Sequence, residues 1–375
     1  MKMEKDIDNP AVIRTVTGDI SPKSLGVTSC HEHVICDISA PHNHESNNYK
    51  TLKYGIDSAP TQGSLYSIEN LYWIRENHLE ASDNRGLFSV EDAVTELQHF
   101  RNSGGNSIID VTCEGIGRNP KAVKEVSTRA GVQIVLGCSH YVASYQSSFV
   151  REMDIETMAG QITRDITVGI NDSDVRAGVI GEIGCSWPVE REEHKVLQAS
   201  ALAHKETGAA VIVHPGRDVK APLSHAIELM DLGVDPARIT IAHIDRRITK
   251  LVDILDLAQV GCYLSFDCFG LEPWISAETR KMPMPSDLQR MDLITALFSH
   301  GHGSKVVLGC DIAMKHRLRK FGGHGYDYLL RWVVPTFFAR TELGREEIDQ
   351  MMVTNPMNAY SFLPRNVHSK IQKVV

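Results

Sequence analysis

Eight short, nearly unbroken apolar runs begin near residues 26, 107, 132, 177, 209, 239, 261 and 305, and from about residue 90 they alternate with segments whose apolar positions recur at helical spacing. A strand wet on one face alternates apolar and polar residues. A run that is apolar throughout is covered on both faces, as in a parallel sheet flanked by helices. Eight such strands with intervening helices in 375 residues predict an α/β fold, a single closed (β/α)8 TIM barrel. A doubly wound open sheet is the runner-up, but no Gly-x-Gly-x-x-Gly follows any of the runs.

Local signals agree with this division. Residues 93–105 (AVTELQHFRNSGG) read as a helix stopped by two glycines, and PKAVKEVSTRAG places Pro120 at a first helical position, where its missing N–H costs nothing. Two stretches break the repeat: 34–89, polar and rich in Asn, Ser and Tyr with one helical piece around NLYWIRENH, and 267–287, with three prolines. Long loops after barrel strands cover the active face, so both are expected to form lids or substrate walls. No linker divides the chain, and 1–375 is read as one domain.

A net charge of −8, with one short basic stretch at Lys315 to Lys320, argues against a nucleic-acid partner. No secretory leader and no run near the roughly 18 apolar residues of a membrane span are present. The eight cysteines are scattered, form no Cys-x-x-Cys pair and sit mostly in apolar runs, the pattern of reduced thiols in a cytoplasmic protein.

In a barrel of this kind functional side chains sit at the C-terminal ends of the strands. The first strand ends in His31-Glu32-His33, the fourth carries Glu182, the fifth ends at His214, the sixth at His243 and the eighth at Asp311. Neutral imidazoles and carboxylates are the ligands of zinc and related divalent ions; manganese, iron and cobalt suit the same set. Strand alternation points His31 and His33 to one side and Glu32 away. Glu182 has two oxygens with which to bridge two ions, and Asp311 can touch a metal and accept a proton from water. Singly, each has a plainer explanation: a strand-end histidine is often a hydrogen-bonded structural residue, and an aspartate after a strand is often a helix cap. Five strand ends bearing such groups together carry the metal reading.

The motifs HEH, GEIGCSWP, IVHPGR, IAHIDR and LGCDI, with GIGRNP, GGHGY and a late TNP, resemble the phosphotriesterase branch of the amidohydrolase superfamily, and within it the phosphotriesterase-related subgroup, from about Thr15 to Pro364. The resemblance implies a distorted barrel of amidohydrolase type with two divalent ions. His31, His33 and Asp311 would hold the buried ion, His214 and His243 the more exposed one, and Glu182 would stand where many phosphotriesterases carry a carboxylated lysine. It also implies hydrolysis. The subgroup is associated with amides, notably N-acetyltaurine cleaved to taurine and acetate, whereas other branches cleave lactones or organophosphate esters. Two departures fall where substrate is met: a longer segment after His33, and His140 where an aromatic is often found.

Arg217 and Arg246 each lie three residues beyond a candidate histidine ligand, and a guanidinium fork suits a carboxylate or sulfonate. A structural salt bridge, with Asp218 or Asp245 for example, is the alternative. Tyr141, His324, Trp187, Tyr72, Trp73 and Asp267 are further wall candidates, and Gly322 with Gly323 predicts a tight turn before His324. The expectation is a metal-dependent amidase for small anionic N-acyl amines. Two divalent ions lower the pKa of water towards neutrality, and Asp311 serves as base towards that water and then as acid towards the leaving amine. The rivals are a lactonase or phosphotriesterase on the same metals and, in another class, a non-catalytic metal-bearing binding protein. A homodimer is compatible with the sequence.

Overall fold

The computed structural model describes residues 10–39, 66–76, 78–79, 81–271 and 284–364; the parts of the two long stretches at 40–65 and 272–283 lie outside the described residues. Eight strands form one sheet: β1 (Thr28–Glu32), β2 (Ser107–Asp110), β3 (Gln133–Cys138), β4 (Val179–Gly184), β5 (Val211–His214), β6 (Ile239–Ile241), β7 (Tyr263–Phe266) and β8 (Val306–Leu308). Each pairs in parallel with the next in chain order. The first and last strands meet just past their ends, where the Asp311 N–H donates to His31 O (3.0 Å) and the His33 N–H to Ile312 O (3.2 Å). The sheet thereby closes as the expected (β/α)8 barrel.

The apolar runs divide between two cores. Ile109, Val135, Val179, Ile212 and Val307 point inward with Ile13, Leu25 and Tyr360 and fill the barrel. Their neighbours Ile108, Ile134, Ile180, Val211, Val213, Val306 and Leu308 point outward under the helices. This is why alternation is invisible in the sequence: both faces of every strand are dry. The crossover helices are α1 (Val90–Asn102), α2 (Pro120–Ala130), α3 (Ile155–Thr167), α4 (Arg191–Thr207), α5 (Ala221–Asp231), α6 (Leu251–Gln259) and α7 (Asp287–Ser299). They start where side chains can serve the first orphan N–H groups. Ser89 accepts from Asp92 N, Asn119 accepts from Ala122 N ahead of Pro120, and Ser286 forms a capping box with Gln289. On α3, Met158, Ala159, Ile162 and Ile166 are buried along one stripe, each of the large ones contributing about 1.5–3 kcal/mol.

The far end of the barrel is covered by a hairpin, Ile13–Thr15 with Gly18–Ile20, and Val12 pairs with Phe362 to bring the two ends of the described chain together. A further short helix, Leu71–Glu76, falls where NLYWIRENH predicts one. All eight cysteines are free and buried. Among the described residues no helix is long and apolar enough to cross a membrane.

Candidate metal centre

The six side chains expected from the sequence meet at the C-terminal mouth of the barrel. Glu182 is their centre. Its Oε2 lies 2.9 Å from His214 Nδ1, 3.4 Å from His31 Nε2 and 3.5 Å from His243 Nε2, and its Oε1 lies 3.3 Å from His33 Nε2. Asp311 faces it, with Oδ1 3.5 Å from His33 Nε2 and 3.8 Å from His31 Nε2. Glu182, His31, His33 and His243 are buried, whereas Asp311 opens to the cavity above.

These residues fit divalent cations. The donor atoms of His31, His33 and Asp311 lie within 4.8 Å of one another, as do those of His31, Glu182 and His243. Ligand bonds of roughly 2.0–2.2 Å put neighbouring donors about 3–4 Å apart. Neither ring nitrogen of the fully buried His31 makes a hydrogen bond. A buried polar group without a partner is costly, and a cation would supply one. Burial alone would raise Glu182, Asp267 and Asp311, yet the surrounding histidines hold all three below the usual carboxylate range. His214 goes the other way: desolvation and the nearby Arg246 guanidinium pull it down to about 3, leaving the neutral imidazole that ligates metals.

A further ring of residues, which the strand-end pattern did not single out as supports, braces this set. Thr112 Oγ1 lies 2.9 Å from His33 Nδ1, and Asp110 accepts from the Thr112 and Val34 N–H groups (2.9 and 3.2 Å). Asp267 was expected on the substrate wall. It is instead fully buried behind the site: its Oδ1 lies 2.7 Å from His243 Nδ1 and accepts from the His243 N–H (3.0 Å), and its Oδ2 lies 3.3 Å from His31 Nδ1. Glu32, pushed up to about 7 by burial, accepts from the Cys310 and Ile312 N–H groups on either side of Asp311 (2.8 and 2.9 Å). Those bonds have a visible purpose. His243 and Asp311 sit at φ 50° and 51°, a left-handed backbone that costs a non-glycine residue on the order of 1 kcal/mol. Asp267 holds the first in place and Glu32 the second. Asp110 and Asp267 close or follow β2 and β7, so the strand-end test applied to acids alone would have found both.

Above this floor opens a cavity of about 790 Å³. Arg246, Arg217, Tyr141 and Trp187 all line it. Arg246 is buried; its Nη2 donates to Pro215 O (2.6 Å), and its Nη1 lies 3.3 Å from His214 Nε2. Among the described residues it pairs with no carboxylate. The salt bridge with Asp245 does not form, because Asp245 is taken by the buried Arg290 (2.8 Å). Arg217 is accessible from the cavity, but enough protein surrounds it that desolvation, with the charge of Arg246, holds it down to about 10. The Tyr141 hydroxyl lies 3.3 Å from His214 Nδ1.

Three other wall candidates do not reach this cavity. His324 is exposed and stacks on Tyr328 (ring centroids 4.2 Å apart), past the tight turn predicted at Gly322 (φ 82°). Trp73 is buried with Ile74 and Ala81, and Tyr72 is exposed. How the loop bearing His324 and the short helix Leu71–Glu76 bearing Tyr72 and Trp73 pack, which sequence spacing does not report, decides all three. His140 faces a separate cleft with Glu114 and Arg118, and burial pulls it down to about 4.

Residues 11–360 match the phosphotriesterase family. The chain is 36% identical to the N-acetyltaurine hydrolase of Dictyostelium discoideum over 358 residues, covering 92% of this chain and 96% of that one. It is 35% identical to a phosphotriesterase-related protein of Nematostella vectensis over 354 residues, covering 93% and 98%. Among solved structures, a resiniferatoxin-binding protein from Rhodobacter sphaeroides superposes with a TM-score of 0.85 at 29% identity, covering 93% of this chain and 94% of that one.

Proposed function

The chain belongs to the phosphotriesterase family and is a metal-dependent hydrolase, and from that premise we propose that it is an amidase for anionic N-acyl amines such as N-acetyltaurine. His31, His33 and Asp311 would hold one divalent ion and His214 and His243 a second, with Glu182 between them. Zinc is the first choice for this donor set. When bound, such ions supply Lewis acidity and bring the pKa of water towards neutrality.

The protein's own groups do the rest. Asp311, open to the cavity, takes a proton from water at a carboxylate oxygen and returns it to the nitrogen of the departing amine. Its φ of 51° and the two Glu32 hydrogen bonds beside it hold that carboxylate where His33 and Glu182 converge. Arg246, without a carboxylate partner among the described residues, offers its guanidinium to the anionic end of the substrate. The observation that carries this reading is the cluster of four histidines within 3.5 Å of the Glu182 carboxylate, under a cavity walled by Arg246.

The test is metal analysis of chelated and reconstituted enzyme, with N-acetyltaurine, an acyl-homoserine lactone and paraoxon assayed side by side. Amide turnover is expected to vanish on chelation and to return with the metal. Dominant lactone or organophosphate turnover would replace this assignment with the corresponding rival. Protein that holds metal yet cleaves none of the three would be a binding protein.

A further inference from the structure

The cavity is larger than its smallest proposed substrate needs, and its lining is divided by the topology of the barrel. Because the strands close in chain order, β8, β1 and β2 form one side and β4, β5 and β6 the opposite side. The loops after β8, β1 and β2 place Ala313, Met314, Ile38 and Ile116 on the cavity, joined there by Leu79. Ile38, Ile116, Leu79 and Met314 belong to an apolar cluster distinct from the barrel interior and the helical shell. Across from them, the loop after β5 contributes Arg217 and the helical turn after β6 (Ile244–Arg247) contributes Arg246. A cavity of about 790 Å³ lies towards the upper end of the ~300–1,000 Å³ that encloses drug-sized ligands.

Taking the amidase reading of this site as given, we propose that the physiological substrate carries an acyl chain of about four to eight carbons, seated on the Ile38, Leu79, Ile116, Ala313 and Met314 side while its anionic amine end meets Arg246. The scissile carbonyl then lies over the floor between the two sides. There Glu182 Oε1 and Asp311 Oδ1 both approach His33 Nε2, at 3.3 and 3.5 Å, and both residues line the cavity. Acetyl leaves the partly exposed members of that side, Leu79, Ala313 and Met314, in contact with water, over the buried Ile38 and Ile116. Each methylene added to the acyl group removes apolar surface from water and gains about fourfold in affinity until the wall is covered. Hydrolysis splits the C–N bond with one water, yielding the fatty carboxylate and the free anionic amine.

The experiment is a series of N-acetyl-, N-butyryl-, N-hexanoyl- and N-octanoyltaurine with metal-reconstituted enzyme, with calorimetric titration of the same series into the Asp311→Asn protein. Both kcat/KM and affinity are expected to rise about fourfold per methylene as far as hexanoyl or octanoyl. Met314→Lys is expected to lower the hexanoyl-to-acetyl ratio at least tenfold. A flat profile, or one falling from acetyl in both measurements, overturns the proposal. If no amide in the series is cleaved, the amidase reading fails, and the ranking of affinities in the Asp311→Asn protein still decides whether the wall selects an acyl chain.

Discussion

At the floor of the cavity, Glu182 has four histidines within 3.5 Å, and buried acids behind them fix His243 and the backbone around Asp311. At the rim, Arg246 and Tyr145 stand on single helical turns (Ile244–Arg247 and Ala143–Tyr145) and Trp187 and Met314 on loops, all in the connections that follow strands. The floor is built from strand ends, where the sheet's hydrogen bonds already define the backbone, so each side chain needs only one brace. Rim residues have no such ladder, and neighbouring loops determine their positions. Chemistry is thus placed by the scaffold and selectivity by its connections. Variants in the two regions should therefore fail in different ways.

The largest effect is expected on the floor. Asp311→Asn keeps the shape but loses the proton acceptor, and kcat should fall about 10³-fold. Metal content should stay close to that of the unmodified protein, because His31, His33, Glu182, His214 and His243 remain. Metal analysis beside steady-state kinetics checks both halves. Full turnover in this variant would remove Asp311 from the mechanism.

Acid should also cost stability beneath the rim. His225, on α5, is fully buried, has no hydrogen bond at either ring nitrogen and packs edge-on to the rim residue Trp187, ring centroids 6.1 Å apart. Burial, with His194 nearby, pulls it down to about 4 from the usual 6.5. The sign follows from linkage: below pH ~6.5 the unfolded chain binds a proton that the folded chain refuses, so stability falls with pH until about pH 4 and changes no further from this group. The full loss is about 3 kcal/mol. Denaturant midpoints between pH 7 and 4 should show it, and His225→Leu should flatten that part of the curve. Identical pH dependence in the variant would rule the residue out as the cause.

Next in size is the brace. Asp267→Asn removes the charge that orients His243 and His31 from behind, and the affinity for the metal should fall 10- to 100-fold. Because Asp267 lies behind the rings, kcat at saturating metal should change far less than the metal affinity. Competition with a chelator of known affinity separates the two. A variant with normal metal affinity and a collapsed kcat would place Asp267 in the chemistry instead.

The same contrast explains what could be read in advance. The eight runs expected near 26, 107, 132, 177, 209, 239, 261 and 305 became strands beginning at 28, 107, 133, 179, 211, 239, 263 and 306, because a strand dry on both faces has a composition no loop can imitate. The convergence of His31, His33, Glu182, His214, His243 and Asp311 was legible for a related reason: strand ends of a closed barrel share one mouth. The brace of Glu32 was not. Its partners Cys310 and Ile312 are 278 and 280 residues away, and no local pattern announces such a bond. His324, on a loop, and Trp73, on the short helix Leu71–Glu76, missed the cavity because such segments orient according to what they pack against, which residue spacing does not encode.

The smallest expected effect is also the one that best separates floor from rim. Arg246→Ala removes a rim guanidinium and should raise KM for an anionic N-acyl amine about tenfold, the value of one charge-assisted hydrogen bond. An uncharged N-acyl amine has nothing to lose there, so its KM should hardly move. Arg246 also stands 3.3 Å from His214 Nε2, which gives it a second route of influence, through the orientation of a candidate ligand. The two routes leave different traces. Loss of anion recognition changes the ratio of anionic to neutral substrate and is partly restored by Arg246→Lys, which keeps the charge. A disturbed His214 lowers kcat for both substrates equally and weakens metal retention, and restoring a positive charge does not repair it. Equal losses on both substrates, with metal loss, would move Arg246 from the rim to the floor and leave the anionic end of the substrate without its reader.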